Sequence, residues 1–563
     1  MSRIHLSLFI ASAFIACSEQ DNTPFEAPIT AKASEGLFVA RSAKDTGIDF
    51  VNSVPENNEQ NYYIYEYFYN GGGVAVGDVN NDGLPDIYFT SNLTQDKLYL
   101  NEGGLRFKDV TMSSLPKEDE HGWHSGVSMA DVNNDGWLDV YVCRAGWYKD
   151  PGKRSNRLYL NQQDGTFKEV AEAWGVADTT RSTQGIFFDR DKDGDLDLFV
   201  INTPLQSGSK LFNDDIARLI QQRRSPSDRL YRNDGDRFTD ITAQSGLWNM
   251  GYGLGVCVSD LDGNGIEDIY VANDYMERDF MYMGQPDGSY TEEVRQRTGH
   301  ITNNGMGCDI ADYNNDGLPD IVVLDMVSED HVRSKMNMGA MSTEEFWRSV
   351  QFGYHFQYMF NTLQLNNGNG TFSEVGQLAG ISKTDWSWAP LLADLDNDGW
   401  KDLLVTNGFK RDTRDNDYTI AAEKIAQERQ KVSYLDMLSL IPSTRIRNYL
   451  FRNNGDLTFS DVSEEWGFTT AVNSNGAAYA DLDGDGDLDL VINHMEATSL
   501  VYENRSERSG NHWLRVRPEG AGGPLAMGCK VRLNTASGIQ SQELQPCRGF
   551  QSSMEPVLHF GLG

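Results

Sequence analysis

The chain has 563 residues, with 48 Lys+Arg against 83 Asp+Glu and a formal net charge of −35. That excess of acid excludes nucleic acid as a partner, because phosphate binding is carried by clustered cations. A hydrophobic content of 39% excludes a disordered acidic tail, and 54 Gly, many in Asn-Gly, Asp-Gly and Gly-Gly pairs, point to an all-β chain of tight turns rather than a helix bundle.

The first element is an address. Residues 1–17 read as a lipoprotein signal peptide, in which Arg3 precedes an apolar run, Leu6 to Ala16, too short to remain as a membrane span. Phe14-Ile15-Ala16-Cys17 resembles a bacterial lipobox, which makes Cys17 the expected lipidation site; an ordinary secretory signal is the competing reading. Residues 18–34, with Pro24 and Pro28, read as a flexible tether. The expected location is the bacterial cell envelope, as a surface-exposed outer-membrane lipoprotein that meets the membrane through its N-terminal lipid anchor.

From residue 35 to 505 a nine-residue pattern, D-x-[DN]-x-[DN]-G-x-x-D, occurs seven times. Its side-chain oxygens come from Asp78, Asn80, Asp82 and Asp86; Asp131, Asn133, Asp135 and Asp139; Asp189, Asp191, Asp193 and Asp197; and Asp260, Asp262, Asn264 and Asp268. The last three copies offer Asp312, Asn314, Asp316 and Asp320; Asp394, Asp396, Asp398 and Asp402; and Asp481, Asp483, Asp485 and Asp489. Calcium takes six to eight oxygens at about 2.3–2.6 Å, so alternate side chains at positions 1, 3 and 5 must turn inward. Glycine at position 6 permits the turn, the carbonyl of position 7 adds a ligand, and Asp at position 9 closes the cage. An EF-hand would need Glu at position 12 between helices, whereas that position is Phe89 in the first copy and Val142 in the second, and the flanks alternate like strands. Read as solvated turns, these carboxylates would repel one another without a cation. Up to seven calcium ions are therefore expected, and their +14 would take the net charge from −35 to −21.

Each loop follows a small-residue strand (Ser128-Met129-Ala130) and precedes an apolar one (Leu198-Phe199-Val200). A Leu-Tyr-x-Asn strand (Leu158 to Asn161) and a Phe-x-x-Val strand (Phe167 to Val170) complete the unit. Four strands in each of seven repeats predict a seven-bladed β-propeller with calcium loops over residues 35–505. The last repeat has Leu500-Val501-Tyr502 but no outer strand after it, so Leu37-Phe38-Val39-Ala40 is predicted to supply that strand and close the ring. These residues resemble the FG-GAP or VCBS-type repeats of the integrin α-subunit head, a resemblance that implies structural calcium in the loop between the first two strands of every blade.

Residues 506–563 carry Asn511-His512-Trp513-Leu514, Gly528-Cys529-Lys530-Val531 and Leu558-His559-Phe560-Gly561. They resemble the ASPIC/UnbV domain that accompanies such propellers in the cartilage acidic protein-like family. Members of that family continue past Phe-Gly-Leu-Gly, so this small β domain is expected to be incomplete. Cys143, Cys257 and Cys308 fall in predicted strands as small buried residues, and Cys529 and Cys547 are a candidate disulfide.

Long connections at 203–228, 326–360 and 408–447 should emerge opposite the calcium loops, the last with a helix from Thr419 to Leu440. His121, Trp123, His124, Trp248, Tyr252, Trp386 and Trp388 belong to the same face. Singly they read as filling for the funnel; together they form a candidate platform for a sugar or peptide. No H-E-x-x-H, G-x-S-x-G, P-loop or paired C-x-x-C occurs. The expected function is non-enzymatic: a calcium-stabilised envelope lipoprotein whose propeller face binds protein or glycan. The alternatives are a polysaccharide lyase or hydrolase with its site in the funnel, and a structural component of an envelope assembly.

Overall fold

Runs of small, β-branched and aromatic residues, cut by Asp- and Gly-rich turns, leave room only for short strands. The computed structural model describes residues 36–563 apart from 118–121, 206–227, 248, 276, 338–342, 352, 429–431, 521–524 and 536–537. His121, Trp248, Cys17, the signal and the tether up to residue 34 lie outside the described residues.

The strands form seven antiparallel four-stranded blades, as the repeat predicts. Blade two is representative, with Trp123–Ala130 innermost, then Asp139–Ala145, Arg157–Asn161 and Phe167–Glu169 outermost. Blade seven is closed across the two ends of the repeat region: Phe38–Arg41 pairs with Leu500–Asn504 in the register Phe38↔Asn504 to Arg41↔Val501. Arg41 adds an ion pair to Glu503 at 2.6 Å, and Phe38 packs edge-on against Phe468 at 6.1 Å. Closure leaves the ring without a free sheet edge at this seam.

The asparagine that ends the third strand stitches neighbouring blades together. Asn161 donates from Nδ2 to the carbonyl of Leu138 in its own blade (3.2 Å) and of Val79 in the preceding blade (2.7 Å). Asn101, Asn233, Asn366, Asn453 and Asn504 make the equivalent pair of bonds. Blade four has Gly284 at this place.

The axial channel is filled from both ends. Within 506–563, Trp513–Val516 pairs with Leu558–Gly561 and Lys530–Thr535 with Gly538–Glu543. A hairpin of Cys547–Arg548 and Ser552–Ser553 then enters the channel and joins the innermost strand of blade one in parallel, Ala75↔Ser553. Gly73 permits this approach, because a Cβ there would stand 1.6 Å from the Gln551 carbonyl oxygen. Arg548 is held by both oxygens of Asp309, at 2.7 and 2.8 Å, and by the Tyr479 hydroxyl at 2.8 Å. From the opposite face comes Asn61–Asn70, in which six of ten residues are aromatic. The two fillings meet through Tyr69, Phe409, Trp388 and Phe550, with ring centroids 5.2, 6.2 and 4.8 Å apart in turn.

Two local expectations are corrected. The helix expected over Thr419–Leu440 is two, Asn416–Gln427 and Tyr434–Ser439, because Ser433 caps the second with a reciprocal bond to Asp436. Cys529 and Cys547 are both free: Cys547 sits in the channel, its sulfur 2.8 Å from Gln184 Nε2, while Cys529 is half-buried in the C-terminal domain. Cys143, Cys257 and Cys308 are buried, as read from the sequence. Among the described residues no helix is long and apolar enough to cross a membrane.

Candidate functional site

The acidic loops join the first and second strands of each blade, and four of the seven share one hydrogen-bond frame. In the second loop the Asp131 carboxylate accepts the N–H of Asp135 at 3.0 Å and of Gly136 at 2.8 Å, and Asn133 Oδ1 accepts Asp135 N–H at 3.1 Å. The same bonds form at Asp78, Asp312 and Asp394. Position 4 takes the left-handed backbone conformation at Asn81, Asn134, Asn315 and Asn397, whose side-chain amides reach the position-6 carbonyl of the next loop at 2.9–3.2 Å. Loops linked in this way turn their carboxylates inward before any ion is considered.

Position 9 is the most deeply set. Asp139 accepts Val132 N–H on one oxygen (3.1 Å) and Asn161 N–H on the other (2.8 Å), and Asp86, Asp268, Asp320, Asp402 and Asp489 are held by equivalent bonds. Burial pushes Asp86 and Asp268 up to about 7 and Asp139 up to about 8, with neighbouring loop carboxylates adding to the rise. Asp320, Asp402 and Asp489 are raised well above the carboxylate range for the same reasons. In four loops three carboxylates bring oxygens within 4.8 Å of one another: Asp189, Asp191 and Asp193; Asp260, Asp262 and Asp268; Asp394, Asp396 and Asp402; Asp481, Asp483 and Asp485. Oxygen-only donor sets of this kind suit a hard divalent cation.

The loops are not all equal. In the third, Arg190 at position 2 lays its guanidinium on Asp191 at 2.6 Å and Asp197 at 2.9 Å. The C-terminal domain covers others: Lys530 meets Asp260 at 2.9 Å, Arg515 meets Asp481 at 2.9 Å, the Gly561 N–H meets Asp394 at 3.1 Å and His559 meets Asn397 at 2.7 Å.

On the opposite face the aromatic platform is not an open surface. Trp123, Tyr252 and Trp388 are buried, and Trp123 packs against Tyr65 and Phe68 at 5.4 and 5.3 Å. Tyr252 lies edge-on to Tyr275 at 5.1 Å, and His124 is buried with Nδ1 2.7 Å from Asp96. Trp386 is half-buried, stacked on Phe409 at 3.6 Å under the Arg414 guanidinium. The Asn61–Asn70 segment covers Trp123 directly and reaches Tyr252 and Trp386 through Tyr275 and Phe409, while the C-terminal hairpin covers Trp388 with Phe550. Exposed aromatics stand instead on the blade-five insertion, where Trp347 is 52% exposed beside Phe356 (36%) and Tyr358 (37%).

A second repeated polar device was missed in the sequence. Asp96, Asp228 and Asp279 stand two residues before the core of the third strand and accept the N–H of Ser91, Asn202 and Asn273 at 2.8 Å. Asn156, Asn361 and Asn448 do the same for Arg144, Asp325 and Asn407. Their signal is an Asp or Asn at a fixed distance before the strand in blade after blade. Burial lifts Asp228 to about 6 and Asp279 to about 7, so these raised carboxylates belong to strand ends.

An FG-GAP-like repeat profile matches residues 59–142, 147–200, 260–323, 353–405 and 433–492, and an ASPIC and UnbV profile matches 520–563. The chain is 25% identical over 551 residues to cartilage acidic protein 1 of Xenopus tropicalis, across 95% of this chain and 72% of that protein. To the Homo sapiens protein of the same name it is 23% identical over 506 residues, across 87% and 67%. A solved structure from Agrocybe aegerita, described for recognition of non-reducing terminal N-acetylglucosamine, is similar at a TM-score of 0.37 and 15% identity, covering 72% of this chain and 84% of that one.

Proposed function

The chain belongs to the FG-GAP-like repeat family and carries an ASPIC and UnbV domain, and from that premise we propose that it is a calcium-stabilised, non-enzymatic binding protein of the bacterial cell envelope. Lipid on Cys17 anchors it, and the insertion face meets a protein or glycan. The observation that carries this reading is the division of the two faces. The loop face is repeated and partly covered by the C-terminal domain, whereas the insertion face differs from blade to blade and exposes Trp347, Phe356 and Tyr358. Loops on a rigid scaffold are where recognition gathers, and exposed aromatic rings give flat contact area at low entropic cost.

Calcium would be held by the oxygens of positions 1, 3, 5 and 9 and would neutralise carboxylates that are otherwise buried together. The third loop, with Arg190 across two of its acids, is the weakest. A glycan and secreted-protein array probed in calcium should give a partner whose binding falls in Trp347→Ala. A partner that ignores this face and needs the exposed loop residue Asp82 would place recognition on the other side and defeat the reading. Metabolic labelling with a fatty-acid probe should mark the native protein and not Cys17→Ser.

A further inference from the structure

We propose that the seventh loop holds two divalent cations, the second bound by Asp485, Asp487 and Glu507. The inference rests on the loop-metal reading, because Asp485 is shared with the set of Asp481 and Asp483.

Position 7 of a loop is required only for its carbonyl, and it is Leu84, Trp137, Ile266, Leu318 or Trp400 in five of the seven copies. The third copy has Asp195 there, and its carboxylate is occupied by the Asn134 amide at 2.8 Å. Asp487 is different. It is 1% exposed; one oxygen accepts the Ser506 N–H at 2.9 Å and its hydroxyl at 3.3 Å, and the other oxygen, Oδ1, is buried with no hydrogen-bond partner. A buried carboxylate oxygen without a donor is costly unless a cation, or a proton shared with the neighbouring Asp485, meets it. Oxygens of Asp485, Asp487 and Glu507 lie within 4.8 Å of one another, which supplies the convergence a cation needs.

Glu507 pairs with Arg508 at 3.4 Å, and with side chains 41% and 62% exposed respectively that pair is cheap to break. Three carboxylates with no nitrogen or sulfur donor select a hard ion such as Ca²⁺ or Mn²⁺. Glu507 lies in the short helix Ser506–Ser509 that leads from blade seven into the C-terminal domain, where Arg515 already grips Asp481. A cation here would fasten that junction to the ring.

The test is anomalous diffraction from crystals of the full chain soaked in MnCl₂, with Glu507→Gln as the fold-safe variant because its side chain is exposed. The expected result is a peak among Asp485, Asp487 and Glu507, distinct from the peak at Asp481 and Asp483, that disappears in Glu507→Gln while the loop peaks remain. Peaks in the loops with none at this place overturn the second site and leave the loop reading standing; no peak anywhere overturns both. Elemental analysis after dialysis in CaCl₂ should show Asp487→Asn, checked for fold by circular dichroism, losing one calcium per chain. An unchanged count in a folded variant also overturns the proposal.

Discussion

On the loop face the connections keep one nine-residue pattern and four of the seven repeat one frame of side-chain to backbone hydrogen bonds, while on the insertion face they range from the few residues between Phe89 and Lys97 to the forty-odd between Asn407 and Tyr449, with helices of their own. The difference separates two kinds of work. A part that must hold seven blades at equal angles can be copied, because each copy faces the same neighbours. A part that must distinguish one partner from another cannot be copied, since a sevenfold surface offers every direction the same chemistry. The filling of the channel belongs with the first kind, as it ties strands of several blades to one hairpin.

The largest effect expected along this divide is metal removal. Each occupied site contributes about 2.7 kcal/mol when free calcium is 100-fold above its Kd, so excess EDTA should lower the melting temperature and calcium restore it. The pH dependence sharpens the test. Without an ion, Asp86, Asp139 and Asp268 have folded-state pKa values raised to about 7, 8 and 7, so the folded chain binds more protons than the unfolded one from about pH 4 upward. Stability in chelator should therefore fall as pH rises from 4 to 8, and saturating calcium should flatten that slope. A chelated protein equally stable at pH 5 and pH 8 would argue against the loop assignment.

Next in size are the channel contacts. Arg548→Ala leaves the Asp309 carboxylate buried without its counter-charge, held by the Ile310 and Leu392 N–H groups, which costs about 3–5 kcal/mol, and Trp388→Ala empties a core position at a similar cost of about 3–5 kcal/mol. Urea denaturation would measure both. Values near zero would mean that the hairpin does not brace the ring. A smaller loss, about 1–3 kcal/mol, is expected for Asn161→Ala, which strands two buried carbonyls. Gly284→Asn should gain nothing, because a Cβ there would meet Ile266 at 2.5 Å.

The smallest stability effect is expected on the insertion face. Trp347→Ala should stay within about 0.5 kcal/mol of the parent while weakening partner binding, the reverse of Trp388→Ala. Comparing these two tryptophans by calorimetry and by a binding assay is the most direct way to break the proposed division. A large stability loss at Trp347 would make the exposed ring structural.

By itself the sequence determined whatever recurs along it. The spacing of Asp and Gly in each loop, the Leu-Tyr-x-Asn strands and the missing outer strand of the last repeat led to the blade number and to the pairing of Phe38 with Asn504. Repetition averages away the ambiguity of any one short strand, and the loop pattern is local enough to be read from nine consecutive residues. Tertiary structure alone decided what occurs once. Trp123 and Trp388 are buried because Asn61–Asn70 and the Cys547–Ser553 hairpin, distant in sequence from both, fill the channel beside them. Cys547 stays a thiol because it lies against Gln184 and not against Cys529. The unpartnered oxygen of Asp487 depends on Ser506 folding back over the last loop. Contacts of this kind are single events between remote segments, carried by shape and burial, and no periodicity announces them.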